Sequence, residues 1–145
     1  MGRIKLDMPE RYIFRTEIPL RITDINYGGH LGNDAVLGLV HEARVRFYRM
    51  LGGSEMDLCG VGTIMTDAIV VFRAQGMYGM TLSIEVAAGD LSASGCDLFY
   101  RLSDAADNRE IALVKTGIAF FDYQRQRPVK VPEAFKEQIV NAEPL

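Results

Sequence analysis

Two periods of apolar residues run through the chain, and they separate one helix from a set of strands. From Asn33 to Leu51, Val36, Leu39, Val40, Ala43, Phe47 and Met50 recur at helical spacing. Asn33 serves as N-cap, Asp34 suits the positive helix start, and Gly52-Gly53 ends the element. The first half is apolar almost all round, which predicts a helix enclosed by something larger. Phe14 to Ile22 reads as a strand before it. Strands are predicted after it at Gly62 to Gln75, Thr81 to Ala88, Cys96 to Ser103 and Arg109 to Asp122. Leu82, Ile84 and Val86 alternate with Ser83, Glu85 and Ala87, and Cys96, Leu98, Tyr100 and Leu102 with Asp97, Arg101 and Ser103. Asp104 to Asn108 reads as a hairpin between the last two strands. Pro132 is placed as first residue of a short C-terminal helix.

The order is one strand, one long helix, then four strands in an antiparallel meander. One sheet of about five strands wrapped around one helix accounts for it, an α+β architecture in a single domain over residues 1–145. The outer face of so small a sheet stays partly apolar, so a homo-oligomer, dimer or tetramer, is expected.

Composition narrows the function. Apolar residues make up 48% and charged residues 24% of 145, an ordinary globular balance. No apolar run approaches the about 20 residues of a membrane helix. Met1 to Leu6 lacks the apolar core of a secretory signal, so a cytoplasmic location and no membrane span are expected. Net charge is −3 with scattered basic residues, which argues against nucleic acid. Cys59 and Cys96 offer no disulfide framework and, with two histidines, no zinc spacing; both read as small buried hydrophobes, and no metal is expected.

The segment that rises above this background is Arg21-Ile22-Thr23-Asp24-Ile25-Asn26-Tyr27-Gly28-Gly29-His30-Leu31-Gly32-Asn33-Asp34, followed in the helix by Glu42-Ala43-Arg44. It resembles the strand-to-helix signature of the hot-dog acyl-CoA thioesterases related to 4-hydroxybenzoyl-CoA thioesterase. That signature runs approximately R-x-x-D-x-D-x-x-G-H-V-N-N, then E-x-R. Ser94 and the run Phe121-Asp122-Tyr123 to Arg127-Pro128-Val129 and Pro132-Glu133 resemble the family's ending. The resemblance covers about residues 14 to 140 and implies a hot-dog fold, hydrolysis of an acyl-CoA-type thioester and a site shared between subunits. It implies no cofactor, with CoA entering as part of the substrate.

Glycines 28, 29 and 32 let backbone approach a ligand closely. The free N–H groups at the helix start can hold a thioester oxygen as its charge grows. Tyr27, Gly29, Gly32, Asn33 and Asp34 are therefore assigned to substrate binding, and Arg73, with Arg125 and Arg127, to the CoA phosphates. Asn26, His30, Asp24 and Glu42 are the catalytic candidates. The family's acid, two residues after the first Asp, is here Asn26, and an amide cannot take a proton from water. His30 has a suitable intrinsic pKa for a base; His41 and Asp67 are further candidates.

Structural roles compete with each assignment. Asp24 and Asn26 are ordinary turn-capping residues. Glu42 precedes Arg46 by four positions, the favourable order for a helix ion pair. His41 shares a helix side with Asp34, Gly38 and Val45, which predicts burial against a sheet or a partner, and Gly38 predicts close packing in preference to a passing pantetheine chain. Two rival functions stand beside hydrolysis: a non-catalytic module that binds acyl-CoA or acyl-carrier thioesters, and hydration or dehydration of an acyl thioester.

Overall fold

The computed structural model describes residues 2–145. Its elements are β1 (Phe14–Pro19), a 3-10 turn (Ile22–Asp24), α1 (Asn33–Met50), β2 (Gly62–Phe72), β3 (Thr81–Gly89), β4 (Gly95–Asp104), β5 (Glu110–Asp122), the two-residue β6 (Arg127–Pro128) and α2 (Glu133–Asn141). All strand pairs are antiparallel, in the order β1-β3-β4-β5-β2, with β6 added to β5. The result is an α+β sheet with α1 packed on one face, the hot-dog arrangement.

The sheet is built on alternation. Leu82, Ile84, Val86, Leu98, Tyr100, Leu102, Val114 and Phe120 all face the core, where they join Val36, Leu39, Val40, Ala43 and Phe47 of α1. Phe47 stacks at a tilt on Phe14 of β1, centroids 5.7 Å apart, so the helix is pinned to the first strand. Met50, assigned to the stripe from the sequence, is instead about half exposed (48%), because the helix is leaving the sheet at its last turn. The core side of α1 also takes in Arg44 and Tyr48, which lie beside the apolar stripe. At the far end Phe135 of α2 meets Phe120 edge-on at 5.1 Å. No helix among the described residues is long and apolar enough to cross a membrane.

Several boundaries differ from the pattern by one to three residues. The helix starts one residue early, with Gly32 as N-cap and Asn33 as its first residue. α2 instead starts one residue late, with Pro132 as its N-cap and Glu133 as its first residue. β1 stops at Pro19 because Arg21 to Asp24 fold into a closed turn. β2 stops at Phe72, before Gln75. The meander is also shorter than expected: only β3, β4 and β5 are successive neighbours, whereas β2 lies on the outer side of β5. The expected β4–β5 hairpin is present, closed by Asp104 and Asp107 side chains and by Asn108 at φ +63°.

The misplaced β2 has a structural consequence. Residues 73–80 must cross from the β2 edge past β5 and β4 to reach β3, and they do so as a strap beneath the β1–α1 loop. Leu31 N–H donates to the Gly76 carbonyl at 2.7 Å, and Leu20 N–H to Met80 at 2.9 Å. The approach is close enough that a Cβ on Gly76 would stand 2.9 Å from Leu31 Cβ and 3.2 Å from Leu20 Cδ1. Gly76→Ala is therefore expected to lower unfolding free energy by about 1–3 kcal/mol, read by urea denaturation, and to disturb the loop that the strap supports.

Candidate active site

Asp24 organises the turn that enters the helix. Its Oδ2 accepts the Arg21 N–H at 2.8 Å, and its carboxylate meets the Arg21 guanidinium at 3.1 and 3.3 Å. Its own carbonyl accepts the Gly32 N–H at 2.9 Å, joining the two ends of the loop. The residue is 5% exposed and lines no groove. In this chain its carboxylate is occupied in holding the loop.

Asn26 closes the loop from inside. Its Oδ1 accepts from Gly28 N–H at 2.9 Å and His30 N–H at 3.2 Å, and its own N–H donates to the His30 carbonyl at 2.8 Å. Gly29 donates to the Asn26 carbonyl at φ +81°, a conformation that favours glycine. Tyr27 stands fully in solvent at the tip, and His30 and Leu31 are half-buried against the strap.

Between this loop, the start of α1 and the end of β2 lies an open groove of about 900 Å³. It gathers Asn26, Tyr27, His30, Asn33, Asp34 and Arg73 from the sequence candidates, together with Leu31, Phe72, Ala74 and Gln75. Gly29 and Gly32 belong to the same loop. At the helix start Asn33 Oδ1 accepts the Asp34 N–H at 3.0 Å and Ala35 N–H turns to Gly32, while the Asn33 N–H has no acceptor among the described residues. One backbone donor at the positive end of α1 is thus free, as binding a developing oxyanion requires. Gly32 is the position that makes room for the side chain of Asp34: a Cβ there would lie 2.5 Å from Asp34 Oδ1. Arg73, half exposed, lies 3.6 Å from Glu110.

Glu42 is not in this groove. It sits eight residues further along α1, about 12 Å by helical rise, in a second groove of about 430 Å³. There it pairs with Arg46 at 3.0 Å, as its spacing predicted, and Arg46 also donates to Thr16 and the Glu17 carbonyl. His41 is exposed within the chain, so its own sheet does not bury it, and its ring meets Glu55 beyond the helix end at 2.6 Å. Gly38 opens on the same groove with nothing within 4 Å of an added Cβ, so the close packing expected there is not made within the chain. Asp67 lies at a β-bulge, facing Lys115 at 2.8 Å and the Gly117 N–H at 3.0 Å. The hydrogen bond from Lys115 holds its carboxyl below the usual range, and it takes no part in the loop groove. Among the described residues no three His, Cys, Asp or Glu side chains converge as a metal centre needs. Cys96 is buried, its thiol pushed up to about 12 by desolvation, while Cys59 is only half-buried.

The residues that sequence reasoning missed are those of the strap and the end of β2. Gln75-Gly76 carries the signal, a glycine interrupting a strand pattern.

The family model of the thioesterase-like superfamily matches residues 20–139, which includes the loop, α1 and every long strand after it. The chain belongs to that superfamily. Solved structures of the same fold include a 1,4-dihydroxy-2-naphthoyl-CoA thioesterase from Synechocystis, 18% identical, TM-score 0.79, covering 88% of this chain and 96% of that one. A DHNA-CoA thioesterase from Staphylococcus aureus is 17% identical, TM-score 0.76, covering 85% and 88%. A Staphylococcus aureus protein solved in complex with CoA is 14% identical, TM-score 0.80, covering 94% and 87%. No curated protein matches the sequence significantly. Within this thioesterase-like chain, Asp24 holds the strand-to-helix loop together. Asp24→Ala should lower unfolding free energy by about 1 kcal/mol, since the part-buried hydrogen bond from the Arg21 N–H is lost. Arg21→Ala should leave the urea midpoint nearly unmoved, because its guanidinium lies in solvent.

Proposed function

We propose that the chain hydrolyses acyl-CoA-type thioesters in the groove at the start of α1. The observation that carries this reading is the meeting of an unbonded Asn33 N–H with Asn26, His30, Asp34 and Arg73 around one groove, in a chain of the thioesterase-like superfamily. The thioester carbonyl would point at the Asn33 N–H, with Gly29 and Gly32 letting it approach. Asn26 would hold the loop in shape and offer its amide Nδ2 to substrate or water. His30 would contribute a hydrogen bond at the half-buried side of the groove. Arg73 would meet a CoA phosphate, exchanging its long contact with Glu110 for a stronger charge partner. That a relative in fold was solved with CoA supports this choice of ligand.

Hydrolysis is tested by incubating the protein with a panel of acyl-CoAs and following free thiol. Turnover is expected, with Asn26→Ala and His30→Ala each lowering kcat/KM by about tenfold or more. The reading is sunk if both variants hydrolyse acyl-CoA like the unmodified chain. One observation favours a second reading, a non-catalytic acyl-thioester binding module: position 26 carries no acid, and its Oδ1 is turned to the backbone. Tight binding without turnover, repaired by Asn26→Asp, would favour that module.

The quaternary state belongs to the same proposal. β2 is an eleven-residue edge strand paired only with β5. Ile64, Met65 and Phe72 on it are substantially exposed. A long apolar edge is satisfied by a second copy, and it would bring a partner next to Phe72 and Arg73 of the groove. Sedimentation should give a mass of two or more chains; a monomer at micromolar concentration would overturn this part.

A further inference from the structure

Hydrolysis of a thioester needs a group that takes a proton from the attacking water, and the acid at position 26 is absent. Asn26 is an amide whose oxygen already accepts two backbone N–H groups. Among the residues lining the groove Asp34 is the one carboxylate. Its neighbours in charge are otherwise engaged or elsewhere. Asp24 is buried against Arg21, Glu42 pairs with Arg46 in the second groove, and Glu110 pairs with Arg101 at 3.0 Å. Asp34 has no cationic partner within 4.0 Å and accepts no hydrogen bond among the described residues. Its Oδ1 folds back over Gly32, beside the end of α1 that carries the free Asn33 N–H. A carboxylate without a partner, one residue from the oxyanion donor, is the arrangement a water-activating base requires.

We infer that Asp34 is the general base of this site, an inference that rests on the thioester reading above. The carboxylate removes a proton from water as the water oxygen forms a bond to the carbonyl carbon. The carbonyl π pair moves onto oxygen, held at the Asn33 N–H. Collapse of the tetrahedral intermediate re-forms C=O and breaks the C–S bond. The sulfur leaves with that bond's electron pair and takes the proton back from the Asp34 carboxyl. One water is consumed, and a carboxylic acid and a free thiol result, with no change of oxidation state. Gly32 is then a positioning residue, since any side chain there would occupy the space of the Asp34 carboxylate. The acid has moved from the loop to the first turn of the helix.

The test compares kcat and KM for acyl-CoA hydrolysis in the full-length protein. Asp34→Asn should lower kcat by about 100-fold or more, with KM changed by less than about threefold. Its unfolding midpoint and its retention of CoA should match the unmodified chain. In Asp34→Ala, added formate should restore part of kcat, which loss of a merely structural side chain would not allow. Asn26→Asp placed in the Asp34→Asn chain should recover turnover by returning an acid to the loop. An Asp34→Asn enzyme within about threefold of full kcat overturns the assignment while leaving hydrolysis intact. Loss expressed in KM alone, without formate rescue, also overturns it. An unmodified chain that binds acyl-CoA and hydrolyses none overturns the thioesterase reading and this one with it.

Discussion

Asp24 accepts two demands at once, one through its side chain and one through its backbone. The carboxylate fixes the Arg21 N–H at 2.8 Å, which ends β1 in a tight turn, and the carbonyl fixes Gly32 N–H at 2.9 Å, which sets where α1 begins. Everything between those two bonds is consequently a closed loop of defined length. The position of the Asn33 N–H, and of Asp34 one residue on, follows from it. The Asp24 carboxylate is buried and takes three donor contacts from Arg21, so the turn loses all three with it. The loop is thus anchored by the acid that its motif places first.

The strap completes the same construction from below. Because β2 pairs with β5 at the far edge, the chain must travel back across the end of the sheet before β3 can begin. That return path places Gly76 against Leu31 and Met77 beside His30. The groove therefore has one wall from the helix entry and one from a crossover about 45 residues later in the chain. Long-range strand order, more than any local motif, brings Arg73 opposite Asp34.

Much of this was legible in the sequence. The helix pattern from Val36 to Phe47 and the alternation in β3 and β4 placed those elements within a residue or two, because burial on one face leaves a period behind it. Six of the ten residues nominated from the sequence line one groove. Strand order was not legible. Edge and central strands can carry similar apolar runs, so β2 read as the next strand of a meander when it pairs at the opposite side of β5. The contact of His41 with Glu55 was equally hidden, since Glu55 lies outside the helix and carries no pattern. Glu42 and His30 share a motif yet occupy different grooves, because eight residues of helix separate Glu42 from Asp34 whatever the signature implies.

The account turns on where a thioester lies. A crystal structure with a non-hydrolysable acyl-CoA analogue, its thioester sulfur replaced by methylene, tests this most directly. The analogue's carbonyl oxygen is predicted within hydrogen-bond distance of the Asn33 N–H, with the Asp34 carboxylate facing the same carbon. A carbonyl seated in the groove beside Gly38 and Glu42, out of reach of Asn33, would contradict the account.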